Sequence, residues 1–474
     1  MASIKPKGRN FTEGPIFFSL LKFLIPMILA AMLQATYNTA DHFVVGKFSG
    51  DTLALAAIAS TSSLSSLVTN MLMGVAAGAT IALSQAYGAK EDETVKKGVH
   101  TTMTFALLLG IFFGVISFAL SKPALVLMKT KAELLDKALL YLLIVCLGVP
   151  FRTFYNFGAA VLRSAGDSKT PLRILASSGL VNITLNLVFV IIFHMGIAGV
   201  AIATVTAHVV SALSVLILLT KRTDLFALKL SELHIDKPIL GRILKFGIPT
   251  GLQASLFSFS NLFLARGLNS LDTVIISAKA VSSNVENICN TAINNFSNAM
   301  ITFVGQNYGA KKPDRIKKSV VAGTIQAVVI GLFVSQLALI FADDIARLFI
   351  DANDPNAEII VQYAVQIMWV ILGFNFLCGT QQVMSGAVRG IGYSTSSMII
   401  TLTGACLLRI LWVVFFFPLE PLHNPVGLYM AFPITWAITT LMQLIFFFIV
   451  FSKFKRKMKS NKRSHEPLEE LSKT

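Results

Sequence analysis

The chain has 474 residues, of which 54% are hydrophobic and 14% are charged, and its mean hydropathy is +0.71. Since an ordinary soluble domain carries about 25% charged residues, this composition excludes a soluble globular protein and indicates an integral membrane protein. The 40 Lys and Arg against 24 Asp and Glu give a net charge of +16, which in a membrane protein is a topology signal rather than a sign of nucleic-acid binding.

Twelve segments are long and apolar enough to cross a bilayer, which takes about 20 mostly apolar residues per helix. The first segment is longer than the core of a signal peptide and lacks a cleavage site, so we expect it to be retained. The second and eighth segments are the most polar. In chain order the predicted spans are 17–45, 52–83, 99–120, 134–160, 171–193, 196–219, 243–267, 273–306, 319–342, 357–387, 394–417 and 426–452.

The basic residues predict the orientation of these spans. Twelve spans place both termini on one side, and 30 of the 40 Lys and Arg lie in or next to the terminal tails and the connections after even-numbered spans. Because cytoplasmic segments carry the excess of Lys and Arg, both termini should be cytoplasmic in a multi-pass protein of the plasma membrane. The tail 453–474 is then a basic cytoplasmic segment that faces lipid headgroups.

The sequence repeats itself once. LLKFLIP at 20–26 recurs as ILKFGIP at 243–249, SQAYGAK at 84–90 recurs as GQNYGAK at 305–311, and VLRSAGDSKTP from Val161 is matched by AVRGIGYSTSS from Ala387. Three motifs in one order with nearly one offset indicate two six-helix lobes of the same orientation. We therefore predict an all-α membrane protein with an N-lobe at 1–222, a cytoplasmic linker at 223–242 that forms a short amphipathic helix, and a C-lobe at 243–452.

The motifs of soluble catalysis are missing from the sequence. GQNYGAKK lacks the spacing of a phosphate-binding loop, zinc-protease and nucleophile-elbow strings are absent, and the seven histidines are scattered. The four cysteines fall inside apolar stretches without paired spacing, so neither disulfides nor zinc are indicated. We expect no enzyme activity and no cofactor.

Asp41 is one of two carboxylates well inside a predicted span. An ionised Asp at the bilayer centre costs about 2.5 to 3.5 kcal/mol on insertion scales, so such a residue normally faces a cavity and marks an ion or proton path. Gln34, Asn38 and Asp41 share one stripe of the first helix, with Tyr37 one turn before Asp41. The alternative is that Asp41 lies near the outer headgroups, where Lys47 follows.

The fifth and sixth spans supply polar groups of matching chemistry. Asn182 and Asn186 stand four residues apart on one face of an otherwise aliphatic helix, and the sixth span contributes Thr204. Amide and hydroxyl oxygens beside one carboxylate can form a shell for a hard cation such as Na⁺, or a hydrogen-bonded proton acceptor. Ordinary hydrogen bonding between helices remains the alternative.

The eighth span carries the second buried carboxylate, Glu286, on a polar stripe too hydrophilic for a lipid-facing surface. A weaker polar stripe occupies the second span, so we predict two walls of one substrate cleft. Glu286 would titrate or attract a cationic substrate, the alternative being a pair with a buried Arg. The predicted cleft residues are Gln34, Tyr37, Glu286, Asn287, Asn290 and Asn294.

Nearly the whole chain resembles the multidrug and toxic compound extrusion family, the MATE transporters. The resemblance is carried by the twelve spans, by KFLIP and KFGIP at the starts of spans 1 and 7, and by the corner strings QAYGAK, GQNYGAK, LRSAGDSKTP and VRGIGYS. It implies an antiporter in which H⁺ or Na⁺ entry drives the export of amphipathic, commonly cationic, drug-like compounds. A monomer in the lipid bilayer, without nucleic acid as a partner, is expected.

The resemblance also assigns site residues. Asp41 in NTADHFVVG matches the first-helix aspartate of the family's N-lobe cation site, Asn182 in VNITLNLVF matches its fifth-helix asparagine, and Thr204 its sixth-helix threonine. Asn186 stands where many members have a second aspartate, which weakens the case for Na⁺ and makes H⁺ coupling at least as favourable. The predicted coupling site is Asp41, Asn38, Asn182, Asn186 and Thr204, with Asp41, Asn182 and Thr204 as Na⁺ ligands if sodium is the ion.

The C-lobe departs from the family pattern. Cys378 stands where some sodium-coupled members have an aspartate in the tenth helix, so a second sodium site of that type is not expected. The same superfamily architecture resembles lipid-linked oligosaccharide flippases, which is the alternative function. Flippases usually carry more basic residues inside the membrane, whereas only Arg152 and Arg409 qualify here.

Overall fold

The computed structural model describes residues 8–48, 53–350 and 354–463, and these residues form helices and short connections without a β-strand. The predicted basic residues Lys5 and Lys7, and the part of the basic tail that follows Arg463, lie outside the described residues. The α-helices are α1 Ile16–Phe48, α2 Ala54–Gly88, α3 Asp92–Leu127, α4 Ala132–Leu147, α5 Val149–Ser164, α6 Lys169–Leu187, α7 Gly196–Thr220, α8 Lys237–Leu268, α9 Thr273–Gly309, α10 Pro313–Ile340, α11 Ala342–Arg347, α12 Ala357–Leu372, α13 Asn375–Gly390, α14 Ser394–Thr401, α15 Leu408–Leu411, α16 Pro425–Tyr429 and α17 Ala431–Arg463.

Each of the twelve predicted spans coincides with a helix or with a run of consecutive helices. In the described part of the chain, nine helices or helix runs are long and apolar enough to cross a membrane, and the bent pair α4 and α5 counts as a tenth. Helices α8 and α9 cover the predicted seventh and eighth spans but do not meet that criterion. The second and eighth spans were predicted to be the most polar. The second span still meets the criterion of length and hydropathy, in spite of its serines and threonines, whereas the eighth does not.

The fourth and tenth spans are broken at equivalent places. Helices α4 and α5 meet at Gly148 with a bend of 46°, and α12 and α13 are separated by Gly373 and Phe374. Gly148 and Phe374 are separated by the same number of residues as Val161 and Ala387, the starts of the third pair of motifs, so they occupy equivalent positions in the two repeats. A helix that stops inside a membrane leaves unpaired backbone groups at its ends, which are tolerated only where protein or a cavity surrounds them.

The repeated corner motifs form the same backbone turns in both copies. Lys90 of QAYGAK and Lys311 of GQNYGAK adopt left-handed conformations, with φ of 59° and 55°. Gly166 and Gly392, which occupy equivalent positions within the third pair of motifs, have φ of 79° and 106°. Residues other than glycine rarely adopt positive φ, so the same conformation at both lysines identifies these strings as structural turns.

The described residues form two compact units. The first contains residues 22–87 and 91–255 and so includes the start of α8; the second contains residues 11–21, 88–90 and the chain from residue 256. The predicted lobe boundaries at residues 222 and 243 stay a prediction. In the first unit, buried residues of α1, α3 and α4, including Val45, Leu125 and Leu142, pack together and fix the second half of α1.

Glycines bring α2 and α8 into backbone contact in the first unit. Gly74 and Gly78 of α2 lie against Gly251 and Gly247 of α8, and a Cβ added at Gly247 would lie 2.7 Å from the carbonyl oxygen of Val75. Both helices thus carry two glycines four residues apart at the contact. This is a common way to pack membrane helices, because small residues allow the backbones to approach closely.

The linker between α7 and α8 corrects one expectation. Instead of an amphipathic helix, residues 221–236 are irregular apart from the 3₁₀ turn Leu230–Glu232. Phe226 and Leu228 are each 2% exposed within the core of the first unit. Alternating apolar residues have a period of two, which fits an extended segment with one buried edge and not a helix.

Candidate functional site

Asp41 lies in the second half of α1 and accepts hydrogen bonds from two other helices. Nδ2 of Asn186 on α6 donates to Oδ1 of Asp41. The Thr204 hydroxyl on α7 donates to Oδ2 over 3.4 Å and also to the carbonyl of Val200 over 2.9 Å. A carboxylate inside an apolar span is thus held by neutral donors, and no ion pair of Asp41 is found among the described residues.

Asn182 and Asn186 face the same way from α6, as their spacing predicts. They are 4% and 0% exposed, and Nδ2 of Asn186 lies 3.4 Å from Oδ1 of Asn182. Oδ1 of Asn186 is buried without a hydrogen-bond partner in the described structure. An unpaired buried acceptor is costly, so the Asn186 oxygen is available to one more donor or to a cation.

A π-helical turn, Val188–Ile192, begins two residues after Asn186. The amide of Phe193 then donates to the carbonyl of Val188, and α7 starts after the short turn that follows. Single π turns inside α-helices occur frequently at functional sites, because they re-aim side chains at a local cost in hydrogen-bond geometry. The described part of the C-terminal half carries two π turns, Leu402–Leu407 and Trp412–Phe416, and the second lies at the equivalent place in the repeat.

The remaining predicted residues of α1 are not bonded to Asp41. Asn38 and Gln34 are exposed, and Asn38 is not among the hydrogen-bond partners found for Asp41 in the described residues. The Tyr37 ring packs directly against Gly179 of α6, where any larger side chain would collide with it. Four of the five predicted coupling residues are therefore brought together, namely Asp41, Asn182, Asn186 and Thr204.

Tyr141 of α4 is a neighbour of Asp41 that the sequence did not single out. The Tyr141 hydroxyl lies close enough to the Asp41 carboxylate to interact with it electrostatically, and it interacts in the same way with the Arg152 guanidinium of α5. The available signal was weak: Tyr141 is the one hydroxyl-bearing side chain in the apolar run LLYLLIVCL. A polar tip in such a run is commonly a core residue with a single partner.

Glu286, predicted as a cleft acid, is already paired. Both of its carboxylate oxygens lie 2.6 Å from Nζ of Lys279, and the Ser282 hydroxyl donates to Oε1 over 3.0 Å. The Lys279 ammonium also stands 4.7 Å from the centre of the Tyr429 ring. Lys279 lies two helical turns before Glu286 on the same face of α9, so the partner of Glu286 is a lysine rather than the buried arginine of the alternative.

The asparagines of α9 do not form one uniform surface. Asn287 and Asn294 are exposed, whereas Asn290 is partly buried with Oδ1 unpaired among the described residues. Asn294 accepts a hydrogen bond of 2.8 Å from Gln382 on α13. The stripe is thus partly used for contacts between helices, and its role in a substrate cleft stays a prediction.

The chemistry available at Asp41 is that of one carboxylate and three neutral polar side chains. No group of three or more His, Cys, Asp or Glu side chains arranged for a metal ion occurs in the described ranges. A cation held at this place would therefore depend on one charged oxygen together with amide and hydroxyl oxygens from Asn182, Asn186 and Thr204. Such a site suits a monovalent cation or a proton.

Comparison with known proteins gives the family. The MatE family profile matches residues 26–188 and 249–415. The probable multidrug resistance protein YoeA of Bacillus subtilis is 28% identical over 388 residues, which cover 80% of this chain and 82% of that protein. The probable multidrug resistance protein NorM of Thermotoga maritima is 26% identical over 392 residues, covering 81% and 82%.

A solved structure is similar over almost the full length. It is the outward-facing conformation of a multidrug resistance MATE family transporter of the MOP superfamily, with a TM-score of 0.88, 21% identity, and coverage of 96% of this chain and 100% of that chain. Since the two matched ranges of the family profile together exceed half of the sequence, the protein belongs to the MatE family of multidrug and toxic compound extrusion transporters and has its fold of twelve membrane helices in two bundles.

Proposed function

We propose that the protein is a multidrug efflux antiporter that exports amphipathic, often cationic compounds in exchange for H⁺ or Na⁺ by alternating access, with Asp41 as the coupling carboxylate. The single observation that carries the proposal is the hydrogen-bonded position of Asp41 within a membrane span, between α6 and α7. Relatives named as multidrug resistance proteins support the class of substrate.

The hydrogen bonds of Asn186 support proton coupling. The ionised carboxylate of Asp41 accepts from the Asn186 amide, whose own oxygen is unpaired in the described structure. When Asp41 takes up a proton it becomes a donor, and the favourable partner is then the Asn186 oxygen, which requires the amide to turn over. Protonation would thus exchange the bonds between α1 and α6, which is the differential interaction that a switch between two conformations needs.

Sodium coupling uses the same residues differently. Asp41, Asn182 and Thr204 would supply oxygens to the ion, with the Asn186 oxygen as a fourth. The carboxylate would lose its hydrogen-bond donors and gain a cation, so α1 would again be held differently in the two states. In either case the ion and the substrate compete, because each favours a different arrangement of the same helices.

The remaining parts of the proposal concern placement. The distribution of basic residues supports a plasma-membrane protein with both termini in the cytoplasm, and the basic tail after the last span would face anionic headgroups. The polar side chains of α9, including Asn287, Asn290 and Asn294, are proposed to line the substrate cleft together with Gln34 and Tyr37. Transport by a monomer is sufficient for this mechanism.

The deciding experiment is Asp41→Asn, assayed as ethidium transport into everted membrane vesicles. A pH gradient and a sodium gradient are imposed in separate arms, so that the driving ion is identified in the same assay. We expect the variant to lose ion-driven transport in whichever arm drives the wild type. Asp344→Asn, at an exposed carboxylate of α11, is the matched control and should keep full activity. Full ethidium transport by a normally inserted Asp41→Asn protein would overturn the proposal.

Arg152 and Arg409 favour a second candidate, a lipid-linked oligosaccharide flippase, since each places a cation inside a span where an anionic headgroup could be handled. Arg409, however, is 2% exposed and covered by the Phe432 ring at 4.0 Å. Expression in a pump-deleted strain separates the candidates. Resistance to several unrelated cations supports the antiporter, whereas rescue of cell-wall synthesis in a flippase-deficient strain supports the flippase.

A further inference from the structure

The first unit contains an apolar cavity that the proposed coupling site does not use. Its volume is about 250 Å³, and its walls come from α2, α3 and α4 together with the start of α5. Leu64, Val68, Phe113 and Leu142 line it, and Ser117 adds a hydroxyl. The cavity is smaller than the ~300 to 1,000 Å³ of drug-sized pockets, so it fits one alkyl chain better than a fused-ring compound.

One charged side chain, Arg152, lines this cavity. It belongs to the first turn of α5, directly after the break at Gly148, and is partly exposed. No side-chain hydrogen bond or ion pair of Arg152 is found in the described ranges; the titratable groups close to it are Cys146, Tyr141 and His208. Because arginine stays protonated, a guanidinium inside a membrane span without a carboxylate partner calls for an anion.

The break in the span adds to this positive field. Hydrogen bonding in α5 begins with the Arg152 amide, which donates to the Gly148 carbonyl, so the Phe151 amide before it has no partner inside the helix. The N-terminal end of the helix dipole is positive. Half-helix ends of this kind inside membrane transporters face anionic groups of ligands. Arg409 makes a useful contrast, because its guanidinium is covered by the Phe432 ring and bonded to Thr435 at 3.4 Å, whereas Arg152 borders open volume.

We propose that this cavity binds a single-chain monoanionic amphiphile of the fatty-acid type, with the carboxylate on Arg152 and the alkyl chain between α2, α3 and α4. The guanidinium pairs with a carboxylate through two parallel hydrogen bonds. One arginine neutralises one negative charge, so a monoanion leaves the membrane interior neutral whereas a phosphate dianion does not. The apolar walls at Leu64, Val68 and Phe113 match a saturated chain. The proposal does not require the coupling role of Asp41.

The test uses full-length protein in phosphatidylcholine nanodiscs and a photoreactive probe, decanoate with a diazirine at the end of its chain. The alcohol and the amine of the same chain length are the matched probes. Labelled peptides are located by mass spectrometry. Because the carboxylate gains a charge-assisted hydrogen bond that the alcohol lacks, we expect it to label the cavity walls of α2 and α3 at least about tenfold more than the alcohol, which is about 1.4 kcal/mol.

Variants then separate the charge from the cavity. Arg152→Gln should lower carboxylate labelling to the level of the alcohol, Arg152→Lys should keep most of it, and Ser117→Phe should remove it by filling the cavity while Arg152 remains. Lys122→Gln, which removes an exposed charge of α3 outside the cavity, should label like the wild type. Equal labelling by carboxylate and alcohol in the wild type, labelling away from these walls, or wild-type labelling of Arg152→Gln would each overturn the proposal. The first two outcomes need no variant.

Discussion

The pair of Lys279 and Glu286 gives the sharpest prediction, because it decides whether Glu286 is structural or acts in transport. The side chains are 18% and 9% exposed, with Nζ 2.6 Å from both carboxylate oxygens. Lys279→Met removes the cation and leaves Glu286 buried with only the Ser282 hydroxyl as a donor. Glu286→Gln leaves a buried ammonium that keeps its contact with the Tyr429 ring.

The expected magnitudes follow from the burial of this pair. At 2.6 Å and an effective dielectric constant of 20, the attraction is roughly 6 kcal/mol. Much of it is offset by the desolvation of both ions, so the double variant Lys279→Met with Glu286→Gln should lie close to the wild type in free energy of unfolding. Lys279→Met alone should lose about 3 to 5 kcal/mol. Glu286→Gln should lose less, because a cation over an aromatic ring retains about 1 to 2 kcal/mol.

Unfolding by SDS in mixed micelles measures these differences, and ethidium efflux on the same proteins measures function. If the double variant is stable and transports ethidium, Glu286 is a structural partner of Lys279. If it is stable and inactive, the carboxylate acts in transport, as the polar stripe of α9 predicts. A stable Lys279→Met protein, or a double variant as unstable as Lys279→Met, would refute the reasoning from the buried pair.

Two further substitutions test local structure in the first unit. Gly247→Val places a side chain 2.7 Å from the Val75 carbonyl oxygen and should lower the free energy of unfolding by about 1 to 3 kcal/mol. Gly241→Ala, in open space on the same helix, is the control and should be neutral or slightly stabilising; equal effects of the two variants in thermal unfolding would contradict the contact of α2 with α8. Asp167→Ala removes a carboxylate that accepts hydrogen bonds from the amides of Lys169 and Thr170 at the start of α6, and should lower the free energy of unfolding by about 1 kcal/mol. Asp167→Asn keeps an acceptor and should keep most of the stability. An unchanged melting temperature for the alanine variant would show that these hydrogen bonds do not stabilise α6.

Side-chain spacing along a helix could be read from the sequence wherever both residues lie on one element. The pair Asn182 and Asn186 was predicted correctly to face one way, because four residues make about one helical turn. Asn38 was assigned to the coupling site by the same reasoning, but its side chain is exposed. The polar face of α1 that contains Asn38 and Asp41 is wider than the surface that α6 covers. Periodicity gives the face of a helix and not which part of that face a neighbour covers.

Contacts between elements could not be read in this way. The approach of Tyr141 to Asp41 and the open volume beside Arg152 depend on how α4 and α5 bend at Gly148. The prediction of a helix for the linker was wrong for a related reason: the sequence did not show that Phe226 and Leu228 are buried in the core of the first unit, which holds the segment extended.

The sequence by itself determined that the chain is a membrane protein with twelve spans, that it consists of two repeats, and that Asp41 is a carboxylate where lipid would otherwise be expected. These properties follow from the cost of burying charge and backbone in hydrocarbon, which acts on each segment separately. The tertiary structure alone decided that Asn186 and Thr204 donate to Asp41, that Lys279 neutralises Glu286, and that Arg152 has no such partner in the described residues. Each of these depends on where helices pack, and helix packing in a membrane is set by the shapes of facing surfaces rather than by the hydrophobicity of any one segment.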